Sequence, residues 1–153
     1  MSRRSNRFAL LAVVVVLQLG LFAPTAGATA PVQFGRIQYD SPGTDTGTNA
    51  SLNGEYFVVK NYTSTRRAIH SWTVRDAGNH VYTFPSTFVL GANSAVRVHT
   101  GKGTNTTTDR YWNRSAYIWN NGGDTARLRN ASGVQDDACG WTSVGAGYKI
   151  CPT

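Results

Sequence analysis

The chain of 153 residues carries fifteen Lys/Arg against eight Asp/Glu, a formal charge of +7, and two cysteines. That length admits one ordinary domain behind a processed leader, with no room for a second domain to hold a separate activity. Removing the three arginines of the leader leaves a formal excess of only four, the charge of a solvated surface rather than of a dedicated polyanion carrier.

The N-terminus reads as a secretory signal. Arg3, Arg4 and Arg7 precede an apolar run from Phe8 to Ala23 broken only by Gln18 and Gly20. The run is short for a membrane helix. Of the small-residue sites that follow, Ala26-Gly27-Ala28 is preferred, because a cut after Ala30 would place the rigid ring of Pro31 beside the scissile bond. Polar Ser5 and Asn6 argue against the twin-arginine route, and no cysteine near the cut offers a lipid anchor. Residues 1–28 are therefore assigned to the signal and 29–153 to a secreted, extracellular mature domain without a transmembrane segment. Cys139 and Cys151 both fall in that domain. In an oxidising milieu they are expected to pair and staple the C-terminal tail, and no third ligand nearby supports a metal site instead.

Beyond residue 30 there is no helical periodicity. Short β-branched and aromatic runs alternate with Gly, Asn, Asp and Pro clusters, as a β-sandwich requires, so the class is all-β. Strands are expected near Val32 to Tyr39, Glu55 to Asn61, Ile69 to Asp76, His80 to Phe84, Ala95 to Thr100, Ala116 to Trp119, Thr125 to Asn130 and Val134 to Ala138. Pro42-Gly43, Asn53-Gly54, Ala77-Gly78-Asn79 and Asn121-Gly122-Gly123 supply the turns between them, and residues 101 to 108 read as a flexible polar loop.

Alternation assigns the faces. Phe57 and Val59, Val96 and Val98, and Ala126 and Leu128 point inward. A register slip of one residue would bury Arg97, Arg127 and Arg129 at a prohibitive desolvation cost, so these three face solvent. If their strands were neighbours they would make a weak, salt-sensitive contact for nucleic acid or an anionic wall polymer.

Several blocks taken together strongly resemble the lamin tail domain family: Tyr39-Asp40-Ser41-Pro42-Gly43, Glu55-Tyr56-Phe57-Val58-Val59-Lys60-Asn61, Ser71-Trp72-Thr73-Val74-Arg75-Asp76, His80-Val81-Tyr82-Thr83-Phe84-Pro85, Val98-His99-Thr100-Gly101, Tyr111-Trp112 and the run from Trp119 to Leu128. The resemblance covers about residues 33 to 138 and implies an immunoglobulin-like sandwich. It also implies an accessory role in targeting or binding, since such domains occur in exported bacterial proteins beside nuclease or phosphatase domains. Under it Trp72 and Trp119 become core aromatics, beside Phe57, Val59, Phe84, Val96, Val98 and Leu128, and His80 and His99 become structural positions. The tail from 139 to 153 lies beyond the family plan.

No pattern of catalytic chemistry emerges, and neither metal nor cofactor is expected. His70, His80 and His99 lie on separate strands without a ligand spacing, and the adjacent Asp136 and Asp137 point to opposite faces. Asp40 and Asp45 lack the alternate oxygen array of a calcium loop, Gly101-Lys102-Gly103 lacks the remainder of a phosphate loop, and no serine sits in a Gly-x-Ser-x-Gly elbow. Tyr111, Trp112, Tyr117, Trp119 and Trp141 offer a stacking strip for sugar or single-stranded DNA, with Tyr111, Trp112 and Trp141 as its expected exposed members. Asn-x-Ser/Thr acceptors at Asn49, Asn61, Asn105, Asn113 and Asn130 matter only in a glycosylating host. The leading expectation is a secreted non-catalytic module that binds a partner or associates with the cell surface. A small secreted hydrolase or nuclease acting on nucleic acid or phosphate esters, and a self-associating structural module, are the alternatives.

Overall fold

The computed structural model describes residues 30–142 and 145–152; the signal segment 1–28 lies outside the described residues. The strands are β1 (Val32–Gln38), β2 (Tyr56–Asn61), β3 (Arg67–Ala68), β4 (Thr73–Arg75), β5 (Val81–Thr83), β6 (Val89–Leu90), β7 (Ala95–His99), β8 (Asp109–Tyr111), β9 (Asp124–Arg129), β10 (Gln135–Trp141) and β11 (Tyr148–Ile150). A single helical turn and a half, α1 (Asn49–Gly54), precedes β2. One sheet runs β11-β1-β2-β7-β8, the facing sheet runs β10-β9-β4-β5, and β3 pairs with β6. The result is an all-β, immunoglobulin-like sandwich.

The inward alternation has a direct structural counterpart. Phe57, Val59, Val96, Val98, Ala126 and Leu128 are wholly buried and meet Phe34, Ile37, Val74 and Phe84 in one core between the sheets. Trp119 is buried with them, and Trp112 and Trp141 join it at the core's margin. Trp72 departs from the core expectation: it is half-buried and packs against the core from its rim. Ser71 just before it turns with a positive φ of 59°, and Ile69, wholly buried, takes the interior position instead.

The expected strand from Ala116 to Trp119 is a loop. Its backbone donors have a different acceptor. Glu55, fully buried at the entry to β2, accepts from Ile118 N at 3.0 Å, Trp119 N at 2.8 Å and Thr100 Oγ1 at 2.5 Å. A buried carboxyl group therefore replaces the neighbouring strand as the partner of this segment. Residues 101 to 108, expected to be a flexible loop, are tied to α1: Lys102 N donates to Asn49 Oδ1 at 2.7 Å, and the Asn49 and Asn53 amides return to Lys102 O. Asn53-Gly54, expected as a strand turn, ends α1, where Gly54 leaves room for Ser41.

Cys139 on β10 and Cys151 just past β11 form a disulfide with Cα atoms 5.6 Å apart. The bridge joins the two sheets along one open side. Thiol titration of the denatured, unreduced protein is expected to find no reactive cysteine, and recovery of two thiols would contradict the pairing.

Candidate functional site

The groups most able to do chemistry are dispersed. His70 is exposed. His80 contacts the buried Asp76 through Nδ1 at 2.6 Å, and Asp76 also accepts from His80 N, closing the turn before β5. On the other sheet, His99 is tied to Asn53 O through Nδ1 at 2.8 Å and to Asp109 through Nε2 at 3.2 Å. Asp109 ionises below its usual range, chiefly because Thr108 Oγ1 donates to it, with His99 adding to the effect. Among the described residues no group of three or more His, Cys, Asp or Glu side chains is placed to hold a metal ion.

The expected stacking strip is likewise divided. Trp112, Trp119 and Trp141 are buried, with Trp112 Nε1 donating to Val81 O and Trp141 Nε1 to Asn120 O. The Tyr117 hydroxyl is paired with Ser51 Oγ at 2.6 Å. Tyr111 alone of the strip lies on an outer sheet surface, where its ring stacks on His99 with centroids 5.0 Å apart.

Arginines are concentrated on the outer surface of the sheet that holds β4 and β9. Arg127 and Arg129 share the outer side of β9, while Arg97 stands on β7 in the opposite sheet, so the three do not form one patch. In place of Arg97 the fold supplies Arg75. Pairing of β4 with β9 sets Arg75 directly opposite Arg127 and Thr73 opposite Arg129. Sequence alone placed Arg75 on a strand but gave no sign of which strand would lie beside it.

Side chains directly opposite on antiparallel strands have Cβ atoms about 5 Å apart, and like charges there are destabilising. Among the described residues no carboxylate pairs with any of the three guanidinium groups. Arg75 Nη1 donates to Asn79 Oδ1 at 2.6 Å and Arg129 Nη1 to Gly133 O at 2.9 Å, both uncharged acceptors. Among the described residues only His80 and His99 make ion pairs with carboxylates; no arginine or lysine does. Two of the acids near them are engaged with backbone donors instead, while Asp136 on β10 holds a buried Oδ2 without a hydrogen-bond partner among the described residues. Asp124 accepts from Ala77 N and Thr125 N, and Asp137 from Phe34 N and Ala138 N.

This architecture has a sequence counterpart: the family model of the Lamin Tail Domain matches residues 25–143. The chain belongs to the lamin tail domain family. No curated protein matches it. The lamin tail domain is an immunoglobulin-like module, which agrees with the two facing sheets described above. Its matched span includes Cys139 but stops short of Cys151, so the second half of the bridge lies beyond the family plan. No helix among the described residues of this lamin tail domain is long and apolar enough to cross a membrane.

Proposed function

We propose that this lamin tail domain is a secreted, non-catalytic binding module whose contact with an anionic polymer at the cell surface runs through Arg75, Arg127 and Arg129. The observation that carries the reading is the Arg75–Arg127 pair, two like charges set side by side on neighbouring strands without a carboxylate on either. Such a pair costs stability in the free protein, and a bound polyanion offsets that cost. Export is supported by the charged-then-apolar N-terminus and by the disulfide. The dispersal of His70, His80 and His99 favours binding over hydrolysis, which needs converging titratable groups.

The test is affinity for inorganic polyphosphate against ionic strength. Replacing all three arginines by Gln is expected to keep the domain folded, with an unfolding midpoint no lower than the wild type's, and to reduce the slope of log affinity on log salt by about 2 to 3, close to one per lost phosphate contact. Equal slopes for the two proteins, or no binding by the wild type at low salt, would reduce the pair to an ordinary solvated surface.

A further inference from the structure

The opposite outer surface, that of the five-stranded sheet, carries a different pattern. Strand register sets Tyr148, Gln38, Tyr56, His99 and Tyr111 side by side across β11, β1, β2, β7 and β8. The adjoining row reads Ile150, Arg36, Val58, Arg97, Asp109. Four strand spacings make the rows roughly 19 Å wide.

The rings in these rows are not bare. The Arg36 guanidinium lies 3.9 Å from the centroid of Tyr148, and that of Arg97 lies 4.6 Å from the centroid of Tyr56. Lys60 repeats the arrangement beside them, with Nζ 4.5 Å from the centroid of Tyr62. This choice of cover matters for what can dock. A sugar stacks through its C–H groups on an open aromatic ring, whereas here a guanidinium lies against each of the two rings. A guanidinium plane stacks on a nucleobase and donates to phosphate at its edge.

The same surface is concave. A cavity of about 210 Å³ lined by Val58, Ala95, Arg97, Thr108 and Asp109 shares Ala95 and Thr108 with a second of about 240 Å³ that reaches Arg66. The combined trough has an aliphatic floor, hydroxyls along its wall and an arginine in each half. Asp109, the carboxylate in these rows, is held by Thr108 Oγ1 at 2.8 Å and by His99; it feels the charge of Arg97 opposite it but makes no ion pair with it.

We propose that this surface binds single-stranded nucleic acid, with bases stacked on the Arg36–Tyr148 and Arg97–Tyr56 pairs and the phosphates following the trough. The site is separate from the Arg75–Arg127 pair and needs planar groups in its ligand as well as charge. Alternating cations and rings on an open sheet are the means by which proteins hold single strands with little sequence preference.

The experiment compares a labelled oligothymidylate with inorganic polyphosphate on the oxidised protein. The double variant Arg36→Lys, Arg97→Lys keeps the charge and loses the flat guanidinium. It is expected to weaken oligothymidylate binding by about tenfold or more while polyphosphate affinity stays within about twofold. Tyr148→Ala, at a residue 39% exposed, is expected to act in the same direction with the unfolding midpoint unchanged. Unaltered oligothymidylate affinity in the Lys variant, equal losses for both polymers, or no binding of the oligothymidylate by the wild type would each overturn the assignment. A loss of oligothymidylate binding only in the Arg75, Arg127, Arg129 variant would move the strand to the other sheet. Loss of polyphosphate binding alone in that variant bears on the polyanion reading and leaves this one standing.

Discussion

Phe57→Ala is expected to destabilise the domain by about 3 to 5 kcal/mol, in the range for large aromatic truncations in a closed core. Phe57 is wholly buried near the start of β2, and its ring meets four others edge to face. The centroids of Phe34, Tyr82, Trp112 and Trp119 lie 6.2, 5.7, 6.0 and 6.1 Å away. Tyr82 belongs to the facing sheet, and Trp112 and Trp119 to the segments between β8 and β9, so one side chain ties together parts of the chain that share no strand pairing. Its removal leaves a cavity lined by rigid rings that cannot collapse into it. Equilibrium denaturation at constant slope measures the loss. A change below about 1 kcal/mol would show that the aromatic cluster repacks around the gap and is not a fixed core.

Stability is also expected to fall as pH rises from about 4.5 towards 7, the opposite of the usual acid destabilisation. Glu55 is the cause. Burial pushes its carboxyl up from 4.5 to about 7, against the hydrogen bonds from Thr100, Ile118 and Trp119 that favour the charged form. Because the folded value lies above the unfolded one, the unfolded chain releases this proton first. The contribution is complete below about pH 4.5, declines through the interval and is lost above about 7. An upward shift of this size corresponds to roughly 3 kcal/mol between the two ends. Unfolding free energies for the wild type and Glu55→Gln across pH 4 to 8 isolate the effect, since Gln does not titrate. The difference between the two proteins is expected to change through that window. A constant difference would show that the Glu55 carboxyl ionises alike in the folded and unfolded chains.

The parts of the fold legible in the sequence are those where one residue's neighbours settle its direction. In β2, β7 and β9, apolar residues alternate with polar or basic ones, and burying the wrong set would place arginine in the core, so alternation fixes the faces without knowledge of pairing. The segment from Ala116 to Trp119 was illegible for the opposite reason. Its composition suits a strand, but its donors are satisfied by Glu55, more than sixty residues earlier in the chain, and no local pattern announces that contact. Trp72 was misplaced because its strand context resembles a core position, while the left-handed turn at Ser71 carries it to the rim.

The candidate site divides along the same line. Alternation put Arg127 and Arg129 on one side of β9 and Arg97 on the outside of β7, but it does not say which sheet each strand joins. Pairing between β4 and β9 exchanges Arg97 for Arg75. The row that runs from Tyr148 to Tyr111 depends on four successive registers and was invisible for that reason. Tyr111, an expected member of the stacking strip, stacks on His99, a contact that only the β7–β8 register creates.

The bridge between Cys139 and Cys151 also bears on an edge of the five-stranded sheet. β1 lies inside its sheet only because β11 covers its far side, and β11 contributes three residues whose side chains are all exposed. So short a strand gains little from burial, and the disulfide holds its end against β10. With the bridge open, detachment of β11 would uncover the backbone of Arg36 to Gln38, a ready template for a strand from another molecule. Reduction of the bridge is therefore expected to promote strand exchange between molecules, most of all in crowded or concentrated settings.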